Sequence, residues 1–102
     1  MSTKGPYATM AAAGTTQATA TEITAEFVMV TPTVSADGVL LPAKNLNDDV
    51  YVVNADSTHT LFVYPQTGGK LNNGTANDPL NMPPNTAARF RAISSLDWAV
   101  IF

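Results

Sequence analysis

Short apolar runs separated by turn residues dominate the chain from residue 38 to its end. The runs are Gly38–Pro42, Val50–Asn54, Thr60–Pro65, Ala88–Ile93 and Trp98–Phe102. They are rich in β-branched and aromatic residues, and clusters of Gly, Pro, Asn and Asp bound them, which is typical of strands rather than helices. The sequence therefore predicts an all-β fold. We expect an antiparallel β-sandwich, jelly-roll-like, with seven or eight strands.

The first residues of the chain have a different composition. Residues 1–21 are mostly Ala, Thr and Gly, and beyond Met1 only Tyr7 and Met10 are larger apolar anchors. Such a segment buries too little apolar surface to offset the entropy lost on ordering. We predict an extended N-terminal arm over 1–21, ordered by a neighbour, and a β-sandwich domain over 22–102. An idle terminus is the alternative. For the arm, deletion of residues 1–20 is expected to weaken binding to that neighbour and to leave the fold intact.

The spacing of the runs predicts how the strands pair. Val50–Asn54 and Thr60–Tyr64 are expected to form a hairpin with a longer loop, and Ala87–Ile93 and Asp97–Phe102 a second hairpin. Prolines on both sides confine Leu80–Met82 to an edge strand or a loop.

Alternation within the runs predicts which side chains face outward. In residues 88–92, Phe90 and the alanines face the core while Arg89 and Arg91 face water or a partner. The run Thr60–Tyr64 is apolar on both faces. Leu61 and Val63 face one side, and Phe62 and Tyr64 face the other. A two-layer sandwich buries one side of each sheet, so the outer apolar side chains are expected to meet another copy of the chain. A sheet that curls over its own loops is the alternative. The predicted partner-binding residues are Tyr7, Met10, Phe62, Tyr64, Arg89 and Arg91.

Charge and composition exclude several partner classes. Only 13% of the residues are charged, against roughly 25% in a typical soluble domain, and such a surface associates with protein at low desolvation cost. The net charge is −3 and the basic residues are scattered apart from Arg89 and Arg91, which argues against nucleic acid. No apolar stretch approaches the roughly 20 residues of a membrane helix. No apolar segment of the kind found in signal peptides follows Lys4, so we expect synthesis in a cytoplasm. The absence of cysteine excludes disulfides and thiolate metal sites.

Few residues suggest chemistry. His59 lies beside Asp56, Ser57 and Thr58 in one predicted loop, where neighbours cannot easily adopt catalytic-triad geometry. Asp48, Asp49 and Asp56 are candidates for calcium only if the loops approach, and EF-hand spacing is absent. The sequence therefore predicts no catalytic residue, no metal ligand and no cofactor, and the chain is expected not to be an enzyme.

Three aromatic residues suggest a sugar-binding alternative. Tyr51, Tyr64 and Trp98 are candidates for a stacking platform, although aromatic residues at strand positions more often fill a core or an interface. Asn73-Gly74-Thr75 fits a glycosylation sequon and also the turn chemistry of a hairpin.

The second half of the chain resembles small virion proteins of tailed bacteriophages. The resemblance rests on Val39–Ala43, Val50–Asn54, Leu61–Gly68, the Asn-rich turn at Asn72–Thr75, Pro84–Phe90 and the late Trp98, and it spans residues 38–102. Several proteins of that kind are capsid decoration, or cement, proteins: jelly-roll modules that sit as trimers at local threefold positions of the shell. The resemblance implies a structural protein of the capsid surface that binds the major capsid protein as a trimer. A tail, baseplate or fibre-attachment module and a small carbohydrate-binding β-sandwich are the alternatives.

Overall fold

The computed structural model describes residues 8–23, 25–34, 37–42, 49–72, 74–94 and 96–101. Within these ranges the chain is all-β and contains no helix, so no described helix is long and apolar enough to cross a membrane. The strands are β1 (Ala8–Ala11), β2 (Thr21–Glu22), β3 (Phe27–Thr31), β4 (Asp37–Leu40), β5 (Asp49–Asn54), β6 (Leu61–Tyr64), β7 (Leu80–Met82), β8 (Thr86–Ala92) and β9 (Trp98–Ile101).

The strands form two mixed sheets. Sheet 1 has the order β1-β3-β5-β8-β9, and sheet 2 has the order β2-β4-β6-β7. From β1 to β6 the chain alternates between the sheets, so each strand returns to its sheet parallel to the previous one. The antiparallel pairs among the described strands are β5 with β8, β6 with β7 and β8 with β9. The predicted antiparallel jelly roll is therefore not confirmed, since a jelly roll is built from antiparallel strands.

One predicted hairpin is wrong and the other is confirmed. β5 and β6 belong to different sheets and do not pair, because the chain crosses from one sheet to the other between them. β8 and β9 pair antiparallel, with Phe90 opposite Val100. Leu80–Met82 is β7, at one edge of sheet 2, as its flanking prolines predict.

Inward side chains of both sheets join one core. Phe90 is fully buried and Trp98 is 1% exposed, and both pack with the inward valines of the two sheets. Ala88 and Ala92 are buried beside Phe90, which confirms the inward set predicted for residues 88–92. Each fully buried large apolar side chain stabilises the fold by about 1.5–3 kcal/mol.

Residues 8–21 form part of this fold. β1 pairs with β3 from Ala8 opposite Val28 to Ala11 opposite Thr31. Met10 packs against the core, and Ala12 is 3% exposed within it. The predicted separate arm is therefore not confirmed over the described part of 1–21; Tyr7 lies outside the described residues.

A buried amide joins the end of β5 to the residues that follow β7. Asn54 is 0% exposed. Its Nδ2 donates to the carbonyl oxygens of His59 at 2.8 Å and Met82 at 3.0 Å, and lies 3.2 Å from that of Pro83. Its Oδ1 accepts from the Asp56 amide at 3.1 Å. Asn54 therefore ties the loop between β5 and β6 to the end of β7 and satisfies backbone groups of both.

Candidate functional site

A row of four side chains crosses the outer face of sheet 1. Phe27, Tyr51, Arg89 and Ile101 are successive cross-strand partners on β3, β5, β8 and β9. Because side chains alternate along a strand, these four face outward while their neighbours face the core. We call these four residues the aromatic–arginine row.

The aromatic–arginine row lines an open depression of about 360 Å³, together with Val53 and Ala87. The Phe27 and Tyr51 rings stack with centroids 6.0 Å apart and an interplanar angle of 21°. Tyr51 remains 40% exposed and Ile101 50% exposed. Aromatic and aliphatic surface gathered in a concave patch is typical of a site that binds another molecule.

Arg89, which lines the depression, carries a buried polar group. The Nε atom of Arg89 is buried and has no hydrogen-bond partner among the described residues. Leaving a buried donor unsatisfied costs about 1–3 kcal/mol. The next outward residue of β8, Arg91, instead faces a carboxylate, with Nη1 3.6 Å from Oδ2 of Asp49. The row therefore contains an arginine whose Nε lacks an acceptor and whose neighbours in the row are apolar or aromatic.

The predicted outward pair on β6 lies largely under its own chain. Phe62 is half-buried, while Tyr64 is 7% exposed and its hydroxyl donates to the Thr15 carbonyl at 3.2 Å. Burial raises the pKa of Tyr64. A Cβ on Gly38 would lie 2.8 Å from the Tyr64 ring, so glycine lets the ring lie against β4. The segment before β2 therefore covers Tyr64. This agrees with the alternative in which a sheet curls over its own loops.

The other predicted partner-binding residues lie in different places. Arg89 and Arg91 lie on the outer face of sheet 1, as the alternation predicts. Met10 packs against the chain's own core, and Tyr7 lies outside the described residues. Their roles in binding a partner stay predictions.

Phe27 and Ile101 are the two members of the row that were not predicted from the sequence. The sequence does show that the runs containing Phe27 and Ile101 are apolar on both faces. The pattern alone does not show that these two strands, β3 and β9, lie on either side of β5 and β8. Parallel pairing of β3 with β5 is what brings Phe27 beside Tyr51.

The three residues considered for a sugar-stacking platform do not come together. Trp98 is 1% exposed in the core, and Tyr64 is covered by its own chain. Of the three, Tyr51 alone is exposed, and it belongs to the aromatic–arginine row.

The Asp56–His59 loop is a hydrogen-bonded turn. Oδ2 of Asp56 accepts from the amides of Thr58 at 2.9 Å and His59 at 2.7 Å, and it lies 2.8 Å from Nδ1 of His59. These hydrogen bonds, first that from the Thr58 amide, lower the pKa of Asp56 to about 2. Ser57 is exposed and takes no part in the described hydrogen bonds of this turn.

The structure assembles no metal site from the residues it describes. No group of three or more His, Asp or Glu side chains in those ranges is placed to hold an ion. Asp49 faces Arg91 instead of Asp56, and Asp48 and the sequon residue Asn73 lie outside the described residues. Comparisons with protein-family models, with curated proteins and with solved structures gave no match to this chain.

Proposed function

We propose that this chain is a structural, protein-binding module of a tailed-phage virion, of the capsid decoration type. In this proposal it binds the major capsid protein through the aromatic–arginine row and acts as an oligomer, a trimer. The single observation that carries the binding role is the apolar depression on the outer face of sheet 1, where Tyr51 and Ile101 stay exposed beside Arg89.

The character of this surface favours a protein as the partner. Aromatic residues and arginine are the types enriched at the centres of protein interfaces. Nucleic acid requires clustered positive charge, whereas this chain has a net charge of −3, and the proposal includes neither nucleic acid nor membrane. It assigns no catalytic activity, and it places the mature protein on the capsid surface after synthesis in the host cytoplasm.

The location of the protein on particles tests the proposal. Gold-labelled antibodies raised against the purified chain are expected to decorate the heads of virions released by cells that produce it. Labelling confined to the tail would replace capsid decoration with the tail or baseplate alternative. Purified virions that lack the chain would overturn both.

A surface variant tests the role of the aromatic–arginine row. Tyr51→Ser removes the exposed ring at the centre of the row and is expected to lower the number of copies bound per particle. Val34→Ser is the matched control, because Val34 is 53% exposed and lies between β3 and β4, outside the row.

Light scattering on the purified protein tests the trimer: a mass of three chains agrees with it, and a mass of one chain at all concentrations contradicts it.

A further inference from the structure

We infer that Arg89 recognises an acidic side chain of the partner protein. An Asp or Glu flanked by apolar residues seats in the depression, and its carboxylate accepts hydrogen bonds from the Arg89 guanidinium. The inference rests on the proposed function, because it names the chemistry of the segment that binds the aromatic–arginine row.

The first support is the buried donor. The Nε atom of Arg89 is out of contact with water and has no acceptor among the described residues. A guanidinium presents Nε and a terminal nitrogen as a fork that matches the two oxygens of a carboxylate. Because Nε is buried, the Arg89 side chain has to turn toward an arriving carboxylate, and the turn gives Nε an acceptor that it lacks in the free protein.

The second support is what surrounds Arg89 on its own sheet. Its cross-strand partners are Tyr51 and Ile101, neither of which is acidic. The ion pairs between described residues join Asp49 to Arg91 and Asp56 to His59, and neither includes Arg89. Asp49 lies two residues before Tyr51 on the same face of β5; its Oδ2 faces Arg91, and its buried Oδ1 has no hydrogen-bond partner among the described residues. No ion pair between described residues therefore engages Arg89, and a carboxylate that seats in the depression pairs with it.

The third support is the apolar wall of the depression. Phe27, Val53, Ala87 and Ile101 line the same depression as Arg89. Seating of a flanking apolar side chain displaces water from this wall, and exclusion of water strengthens the charge-assisted hydrogen bond. The expected ligand therefore combines a carboxylate with apolar neighbours, as in an extended segment of a capsid protein.

Selection from a random displayed peptide library against the immobilised whole chain tests the inference. The selected peptides are expected to share an Asp or Glu next to aliphatic or aromatic residues. A synthetic copy with that Glu replaced by Gln is expected to bind roughly 10- to 100-fold more weakly, the loss of one charge-assisted hydrogen-bonded contact.

Matched variants assign the effect to one side chain. Arg89→Met is expected to weaken binding of the Glu peptide by a similar factor and to leave binding of the Gln peptide unchanged. Arg89→Lys retains the charge but not the fork, and it is expected to bind the Glu peptide more weakly than the native chain. Lys70→Met removes the same charge outside the depression and serves as the control. In the native chain, the Arg89 Nε–H NMR resonance is expected to shift with the Glu peptide and not with the Gln peptide, a readout that does not depend on how a variant folds.

The outcomes separate this inference from the proposed function. Peptides that lose binding with Tyr51→Ser but show no acidic preference and no effect of Arg89→Met would overturn the inference and retain the row as a protein-binding surface. Selection of no peptide, or only of peptides indifferent to Tyr51→Ser, would overturn both. Self-association that Arg89→Met abolishes would show that a second copy of this chain occupies the depression and would overturn the assignment to a different protein.

Discussion

The side chain of Asn72 pairs with the backbone of Val100 at the edge of sheet 1. Oδ1 accepts from the Val100 amide at 2.8 Å, and Nδ2 donates to the Val100 carbonyl at 3.3 Å. The Asn72 amide donates to the Trp98 carbonyl, and the Trp98 amide donates to the Lys70 carbonyl, both at 2.9 Å. Asn72 thus takes the place of a neighbouring strand and covers an edge that otherwise invites pairing with another chain.

Asn72→Gly is expected to lower the free energy of unfolding by about 1 kcal/mol, because it removes both side-chain hydrogen bonds. Glycine retains the positive φ of 51° at this position without strain, so backbone conformation is not the cause. The measurement is urea denaturation together with amide hydrogen exchange, which should become faster at Val100. Asn85→Gly is the control, since Asn85 has a φ of 59° and no described side-chain hydrogen bond. Equal stability of the two variants would show that the edge contact contributes nothing.

Asn54→Ala is expected to destabilise the fold by about 2–4 kcal/mol. The substitution leaves the carbonyl groups of His59 and Met82 without their donor in a buried setting. Thermal and chemical unfolding measure the change. Asn81→Ala, at an exposed position of β7, is expected to change stability by less than about 0.5 kcal/mol. A loss of that small size for Asn54→Ala would contradict the role given to the buried amide.

Local pattern predicts much of this structure, and distant pairing accounts for the rest. The alternation of Phe90 with its flanking arginines fixes the faces of β8 without knowledge of its neighbours, and the turn after Ile93 is short enough to require a hairpin with β9. The segment between β5 and β6 gives no such signal, because a chain that crosses to the other sheet shows the same inward Leu61 and Val63 as a chain that turns back. Parallel neighbours such as Phe27 and Tyr51 lie far apart in sequence, so their shared row appears only once the fold is known.

Acid is expected to weaken the turn at Asp56. Its pKa in the folded chain is about 2, below the usual 3.8, so the ionised carboxylate favours the folded state. That contribution is present above the usual pKa of about 3.8 and is lost as the pH falls through about 2. Asp56→Ala should therefore be less stable than the native chain at neutral pH, and the difference should shrink steadily between about pH 4 and pH 2 in urea titrations. A difference that does not depend on pH would contradict the carboxylate as its cause.

Asp37 is expected to add to the same acid sensitivity. Burial raises its pKa, but hydrogen bonds from the backbone and side chain of Thr33 and from the Val34 amide outweigh burial, so the pKa lies below its usual value. The stability that the ionised Asp37 carboxylate contributes is therefore also lost as the pH falls below the usual pKa of 3.8. Carboxyl resonances followed by NMR during acid titration should show low midpoints for both Asp37 and Asp56, and ordinary midpoints would contradict the described turns.

Deletion of residues 1–20 is expected to destabilise the fold, contrary to the expectation for a separate arm. It removes β1, which pairs along β3, and it removes Met10 and Ala12 from the core. Circular dichroism melting is expected to show a lower midpoint and less sharp unfolding. A deletion of residues 1–7 retains every described residue and is the reference. An unchanged midpoint after the longer deletion would support the arm and contradict the contribution of β1.

Hydroxyl-radical footprinting of the chain, free and on virions, tests the proposed binding surface most directly. We expect Tyr51 and Phe27 to be labelled in the free protein and protected on the particle, because the partner covers the aromatic–arginine row. Trp98 is buried in either state and Val34 lies outside the row, so their labelling should not change. Equal labelling of Tyr51 in the free and particle-bound protein would contradict the central claim that this row binds the capsid.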